Sequence, residues 1–119
     1  MNAVQVTGEL LLSSEDVRRV PWEHLNHMPG VHVKTLWADP AGGSYAGLMK
    51  LEAGASIPRH THHRGIHHVW VDLGSCRVGD RTLGPGGYAY VPPGVEHGID
   101  RAGPGGCTLL YLYLTTDQD

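Results

Sequence analysis

The sequence predicts an all-β protein, a sandwich or a barrel built from short strands. Strand-like runs recur about every eight to twelve residues and are separated by turns, a spacing that is typical of all-β folds. The 119 residues include 17 glycines and 8 prolines, which favour turns over long helices. With 40% apolar residues, a chain of this length can bury the core of one domain.

The first 30 residues have weaker patterns and are predicted to form an arm beside the barrel. Val4 and Val6 alternate with polar residues, and Leu10-Leu11-Leu12 follows, so both pieces are predicted as short edge strands. Ser13 resembles a helix N-cap with acidic residues behind it, which predicts a helical turn that ends before Pro21.

The remaining sequence alternates between apolar strands and Gly/Pro turns. It shows no internal repeat and no domain boundary, so residues 1–119 are predicted to form a single domain, with the barrel at 31–114. Gly74 is expected to end one strand, and residues 101–106 are expected to form a loop. The predicted strands are 31–37, 45–52, 57–62, 66–73, 76–78, 81–83 (a hairpin with 76–78), 88–91, 95–100 and 107–114.

Five of the nine histidines lie within residues 60–68. Histidine is the commonest transition-metal ligand among side chains. His60 and His62 stand two residues apart on an extended segment, so their side chains point to the same face of a sheet. This pair is the first indication of a metal site.

Strand alternation selects two further histidines. His67 shares a face with apolar residues at positions 69, 71 and 73, which predicts that it points into the barrel. His97 likewise shares a face with the apolar residues at positions 95 and 99. His63 and His68 are predicted either to be exposed or to contact the ligands without binding the metal themselves. The predicted metal ligands are His60, His62, His67 and His97.

The same histidines carry a resemblance to the cupin superfamily. The pattern Gly54-x5-His60-x-His62-x4-His67-x6-Gly74 resembles the first cupin motif, and Gly86-x5-Pro92-x-Gly94-x2-His97 resembles the second. The resemblance implies a double-stranded β-helix, a jelly-roll-like barrel, over most of the chain. Two positions depart from the common pattern, because His67 stands where the family has glutamate and Arg101 where it has asparagine.

An all-histidine site is similar to that of a subset of cupins, which includes dioxygenases that cleave carbon–carbon bonds in diketones and hydroxyacetophenones. Residues 29–37 and 86–94 also resemble the hydroxyacetophenone dioxygenase group and the cupin domain of some anti-sigma factors. The resemblance implies a dioxygenase first. Two alternatives stay open: a metal-binding sensor or regulatory module, and a non-oxidative isomerase or lyase.

The predicted donor set limits the metal and its chemistry. Imidazole suits iron, zinc, nickel and copper, and it can hold manganese where the fold fixes the cage. Four neutral ligands leave the charge of a divalent ion uncompensated, which favours anionic chelating ligands such as enolates. We expect one divalent transition metal, iron first, and a small-molecule substrate, and no catalytic side chain is assigned.

Several side chains near the motifs have two interpretations. Arg59 and Arg64 flank the first motif, where they either attract an anionic substrate or are solvated surface residues. Glu96 neighbours a ligand but has outward parity, so we place it outside the site. The residues that either line a pocket or pack the core are Trp37, Tyr45, Met49, Tyr88 and Tyr90.

Charge and hydropathy argue against two classes of partner. The net charge is −3 with histidines neutral, and no basic patch is present, so nucleic-acid binding is not expected. The sequence contains neither an apolar run of about 18 residues nor a signal-peptide pattern. It therefore predicts a cytoplasmic protein without a membrane partner.

The cysteines and one strand face give two further predictions. Cys76 and Cys107 lack zinc-type spacing and lie in apolar runs, which predicts buried thiols and leaves a disulfide as the alternative. Trp70 and His68 are predicted on the outward face of a strand. Because exposed large apolar surface marks interfaces and two-fold dimers are the commonest assembly, we expect a homodimer.

Overall fold

A computed structural model of the chain describes residues 8–115. These residues form an all-β double-stranded β-helix of the jelly-roll type, as the sequence predicts. No helix among them is both long and apolar enough to cross a membrane. In chain order, the elements are α1 (Ser14–Arg19), β1 (Glu23–His24), β2 (Val31–Ala38), β3 (Tyr45–Leu51), β4 (Ile57–His60), β5 (Gly65–Val78), β6 (Arg81–Leu83), β7 (Tyr88–Val91), β8 (His97–Ile99) and β9 (Arg101–Thr115).

Two antiparallel sheets enclose the core. The larger sheet has seven strands in the order β1-β2-β3-β9-β5-β6, and β7 also pairs with β5. The smaller sheet consists of β4 and β8. The long strands β5 and β9 pair over most of their lengths at the centre of the larger sheet. Ile57 of β4 and Ile99 of β8 pack against the core residues of the larger sheet, so the core lies between the two sheets.

The core is formed by alternate residues of the central strands. Val31 and Leu51 are fully buried, and Val71 and Leu109 are 3% and 2% exposed. Successive side chains of a strand point to opposite faces, so one face of each strand supplies the core. Burying each such aliphatic side chain stabilises the fold by roughly 1.5–3 kcal/mol.

The N-terminal arm contains the predicted helix but not a predicted strand at Leu10–Leu12, whose residues are exposed. Ser13 caps α1: its hydroxyl accepts a hydrogen bond from the Asp16 amide, and the Asp16 carboxylate accepts one from the Ser13 amide. The strand prediction at Leu10–Leu12 is wrong because β1, farther along the chain, pairs with the edge of β2. Val4 and Val6 lie outside the described residues.

Trp22 and Lys34 fix the arm on the outer face of the larger sheet. The ammonium groups of Lys34 and Lys50 lie 4.6 and 4.7 Å from the centroid of the Trp22 ring. Lys34 is 5% exposed, and its Nζ donates a hydrogen bond of 3.0 Å to the carbonyl of Val17 in α1. Cation–π contacts and this hydrogen bond therefore hold the arm against β2 and β3.

Strand β5 is longer than predicted because it continues through Gly74. Gly74 has a φ of 74°, and a Cβ at this position would overlap the carbonyl of Gly106, so the close strand crossing requires glycine. The register shifts between Val71 and Leu73 and again between Gly74 and Cys76. These bulges turn Leu73 outward, to 63% exposure, so the prediction that it points inward is wrong.

The predicted loop at residues 101–106 is also wrong, because these residues begin β9. Arg101 and Ala102 pair with Arg77 and Cys76 of β5. The predicted hairpin is confirmed, since Val78 pairs with Arg81 across the turn. At residues 101–106 the glycine-rich sequence predicted a loop, but pairing with the extended end of β5 keeps the backbone in a strand.

Cys76 and Cys107 are buried free thiols, as the sequence predicts. A hydrogen bond between the two thiols lowers the pKa of Cys76 and raises that of Cys107. Both side chains belong to the core, where they act as small apolar groups.

Candidate metal centre

Four histidines come together where β4, β5 and β8 meet. His60 ends β4 and His97 begins β8, and the two residues are direct partners in the smaller sheet. His62 follows β4 by two residues, and His67 lies near the start of β5. The strands β4 and β8 are shorter than predicted, and Val95 lies before β8 and is 44% exposed, so its predicted inward orientation is wrong.

Three of these histidines form a compact group. The ring centroids of His60 and His97 are 4.4 Å apart, those of His60 and His62 are 4.8 Å apart, and those of His62 and His97 are 5.3 Å apart. One ring nitrogen from each residue lies within 4.8 Å of the others. The three histidines are therefore positioned to bind a metal ion.

His67 stands beside this group. Its ring centroid lies 4.9 Å from that of His62 and 5.3 Å from that of His97. Its backbone pairs with Val91 of β7 on one side and with Tyr113 of β9 on the other, so its strand position is fixed from both edges.

Backbone carbonyls orient two of the rings. His60 Nδ1 lies 2.8 Å from the Pro58 carbonyl oxygen, and His97 Nδ1 lies 3.0 Å from the Val95 carbonyl oxygen. A carbonyl oxygen only accepts hydrogen bonds, so each Nδ1 carries the proton and donates it. Nε2 of each ring is then unprotonated and can donate its lone pair to a metal, which is the usual arrangement of a metal-binding histidine.

Two ring nitrogens in the group are buried without a partner among the described residues: His67 Nε2 and His97 Nε2. Leaving a buried polar atom without a hydrogen bond costs about 1–3 kcal/mol. A metal ion between the rings would satisfy both nitrogens. The donor set and these two atoms therefore fit a transition metal bound by imidazoles.

The histidines favour their neutral, metal-binding form. Burial, together with smaller contributions from the neighbouring His62, His97 and His60, lowers the pKa of His67 to about 4. Burial also lowers the pKa of His62, with smaller contributions from His60 and other nearby histidines. Near pH 7 these two rings are unprotonated.

The stability of the metal-free protein should depend on pH through His67. The unfolded chain binds a proton at this histidine below its ordinary pKa of 6.5, whereas the folded chain does so only near pH 4. The unfolding free energy should therefore fall between about pH 6.5 and pH 4, by on the order of 1–2 kcal/mol after allowance for the partial exposure of the ring.

Urea unfolding in the presence of a chelator, at pH 7.5 and pH 5, measures this dependence. The matched variant is His67→Gln, which cannot gain a proton at this position and should show a smaller loss at low pH. An equal loss in the two proteins would contradict the assignment to His67.

A surface ion pair joins the two strands of the smaller sheet near the histidines. Arg59 Nε lies 3.2 Å from Glu96 Oε1, and Arg59 also donates a hydrogen bond to the Glu96 carbonyl. The side chains are 51% and 63% exposed. Arg59 thus helps to hold together the strands that carry His60 and His97. Of the two interpretations of Arg59 from the sequence, the structure supports a solvated surface residue.

The structure adds one residue that the sequence interpretation did not select, Tyr113 of β9. Its ring centroid lies 5.1 Å from that of His62, 4.9 Å from that of His67 and 5.3 Å from that of Tyr45. The signal was present in the sequence, because Tyr113 alternates with Tyr111 and Leu109 on the inward face of the last strand.

The remaining histidines of the motif region, His63 and His68, do not belong to the group. His63 is exposed, and His68 lies on the outer face of β5 with its Nδ1 2.6 Å from the hydroxyl oxygen of Tyr88. Trp70, Tyr88 and Tyr90 join it there, with exposures of 36%, 46% and 51%. The alternative that Tyr88 and Tyr90 line a pocket or pack the core is therefore wrong.

Solved structures with this fold include proteins of several kinds. KdgF from a Halomonas species is 25% identical, with a TM-score of 0.75 over 95% of this chain and 98% of that one. A chain of the complex between SigE and the anti-sigma ChrR of Rhodobacter sphaeroides is 26% identical, with a TM-score of 0.65 over 79% of this chain and 49% of that one.

A third solved structure is similar to this chain in fold only. It is a protein from Methylibium petroleiphilum, proposed to be an acetylacetone dioxygenase, which is 22% identical, with a TM-score of 0.73 over 96% of this chain and 81% of that one. No curated protein matches the sequence at a significant level.

A family model provides the sequence-level assignment. The model described as the ChrR cupin-like domain matches residues 13–115, which is most of the chain. The match includes both histidine motifs and every strand of the two sheets. The chain therefore belongs to the ChrR cupin-like domain family.

Proposed function

We propose that the chain binds one divalent transition metal ion through His60, His62, His67 and His97. The observation that carries the proposal is that His67 Nε2 and His97 Nε2 are buried without a partner among the described residues. His97 belongs to the compact group with His60 and His62, and the His67 ring lies beside that group. The neutral state of the rings and the carbonyl-anchored tautomers support it, because a ligating imidazole must present a free lone pair.

The bound metal would supply Lewis-acid chemistry, polarising oxygen atoms of a ligand that chelates it. The chain's own part is to bind it with neutral donors only, so that its charge stays uncompensated. An anionic oxygen ligand, such as an enolate or phenolate, would bind more strongly there than at a site containing a carboxylate. Tyr45 and Tyr111 add no negative charge nearby, because burial raises the pKa of both, that of Tyr111 to about 12.

We further propose that, with iron(II), the protein is a dioxygenase that cleaves a carbon–carbon bond in a small diketone or hydroxyaryl ketone. Such substrates form the anionic chelates that an all-histidine site favours. Imidazole ligands also suit iron among the metals considered. The similarity in fold to the protein proposed to be an acetylacetone dioxygenase adds support.

An oxygen electrode tests the dioxygenase proposal. Iron-reconstituted protein should consume oxygen in the presence of at least one member of a panel of β-diketones and hydroxyaryl ketones. The matched control is His97→Ala, which removes one donor and should abolish the consumption. If no substrate gives a rate above that control, the dioxygenase proposal is wrong.

A regulatory role is the second candidate, and two observations favour it. The family model carries the name of ChrR, and the ChrR complex chain, of which this chain covers about half, is 26% identical over the aligned region. In a regulatory protein, metal loading should change affinity for a partner such as a sigma factor, with no turnover in the ketone panel.

A non-oxidative isomerase or lyase with zinc, nickel or manganese is the third candidate. It would use the same Lewis-acid chemistry without oxygen. Activity that is equal in anaerobic and aerobic assays would distinguish it from the dioxygenase.

We propose that the protein is a homodimer that pairs through the outer face of β5 and its neighbours. Trp70, Tyr88, Tyr90 and Leu110 expose large apolar surface on this face. Light scattering at micromolar concentration should give twice the chain mass of 12.9 kDa. A Trp70→Asp, Tyr90→Asp variant should be monomeric, whereas Arg81→Asp, as a control in β6, should leave the mass unchanged. A monomeric wild-type protein would overturn the proposal.

A further inference from the structure

Tyr113 lies in β9, between β3 and the strand β5 that carries His67. Its backbone pairs with His67 of β5 on one side and with Tyr45 of β3 on the other. Its ring meets the His67 ring edge to face, at 72°, and lies tilted by 55° against the His62 ring. One side chain thus contacts two of the four proposed ligands.

The four histidines divide into two pairs by the way in which their rings are oriented. The rings of His60 and His97 each have Nδ1 in a hydrogen bond to a backbone carbonyl. The rings of His62 and His67 both contact Tyr113. Edge-to-face and tilted ring contacts have preferred geometries, so Tyr113 restricts how far these two imidazoles can turn.

Gly65 provides the space that the Tyr113 ring occupies. Gly65 is buried, and a Cβ built on it would overlap the Cζ, Cε1 and hydroxyl atoms of Tyr113. Tyr45 packs against the ring at a centroid distance of 5.3 Å. The ring is therefore confined between the backbone of Gly65 and the side chain of Tyr45.

We propose that Tyr113 is a positioning residue for the metal centre and that Gly65 is required because it admits the Tyr113 ring. The ring holds His62 and His67 in the orientation in which both can bind one metal ion. This inference rests on the proposed metal binding by the four histidines. It goes further by assigning the orientation of two ligands to a residue outside the histidine motifs.

Cobalt(II) titration of the metal-free protein tests the proposal, because the visible spectrum of bound cobalt reports its ligand geometry. Tyr113→Ala should change the spectrum and lower the cobalt affinity about tenfold or more. A loss of affinity of this size is expected when a residue that orients a metal ligand is removed. Tyr113→Phe keeps the ring and should restore both the affinity and the spectrum. Thr108→Ala, on the outer face of the same strand and outside the residues of the proposed dimer interface, is the matched control and should behave as wild type.

A double-variant cycle tests the role of Gly65. Gly65→Ala alone should displace the Tyr113 ring and weaken cobalt binding by a similar factor. In a Tyr113→Ala background the added methyl group has space, so Gly65→Ala should cause little further loss. Circular dichroism checks that each variant is folded, and Tyr113→Leu takes the place of Tyr113→Ala if the latter does not fold.

The outcomes separate this inference from the metal proposal. If the Tyr113→Ala or Tyr113→Leu variant binds cobalt with the affinity and spectrum of the wild-type protein, the proposed role of Tyr113 is wrong, and the proposal of a metal centre is unaffected. Loss of binding in Tyr113→Phe would show that the hydroxyl group, not ring packing, is responsible, which also overturns it. Additive losses in the double variant would overturn the role of Gly65. If the wild-type protein binds no cobalt, both proposals are wrong.

Discussion

A His60→Ala, His62→Ala variant should lose its bound metal, with the metal affinity reduced by at least about a hundredfold. Loss of a residue that only supports a metal ligand lowers affinity by up to about a hundredfold, so loss of two ligands should cost at least as much. The physical reason is the loss of two of four donors. Both rings belong to the compact three-histidine group, and their removal leaves His97 as its only member. Elemental analysis of the purified protein should give a small fraction of one ion per chain, against one for the wild type.

A second double variant provides the control for this result. His63→Ala, His68→Ala removes the same number of histidines from the same region, but His63 is exposed and His68 lies on the outer face of β5. This variant should retain one ion per chain. Full metal occupancy in the His60→Ala, His62→Ala protein, or equal losses in both variants, would refute the proposed ligands.

The fold was predictable from sequence wherever local alternation decides which face of a strand is buried. Alternation identified β2, β3 and β7 with bounds within one residue of those observed, and the capping pattern at Ser13 identified α1. It failed at Leu73, because a bulge reverses the face and depends on pairing with β9, which is distant in sequence. It failed again at residues 101–106, where glycine and proline suggested a loop but pairing with β5 maintains a strand.

The histidines of the candidate site could be selected from the sequence, but the residue that packs against them could not. The spacing of His60 and His62 and the parity of His67 and His97 depend on short stretches of chain. The contact of Tyr113 with His62 and His67 depends on the register between β5 and β9, which no local pattern contains. Alternation gives Tyr113 the same face of the strand as Leu109, but only the register shows which residues it meets.

His67→Ala should weaken metal binding about tenfold or more, whereas His68→Ala should leave it nearly unchanged. The two residues are adjacent in sequence and differ in the face of β5 that they occupy. His67 has a buried Nε2 without a partner among the described residues, close to His62 and His97. His68 Nδ1 is hydrogen-bonded to the hydroxyl group of Tyr88 on the outer face. Competition with a chelator of known affinity measures both variants.

The comparison also tests whether His67 is a ligand or only lines the centre, because His67 stands beside the three-histidine group rather than within it. As a ligand, His67 contributes a donor atom, so His67→Gln should weaken binding nearly as much as His67→Ala. If His67 served only to fill space, His67→Gln should restore the affinity, since a side chain of similar length would replace the ring. A stronger effect of His68→Ala than of His67→Ala would place the metal on the opposite face of β5 and reject the parity argument itself.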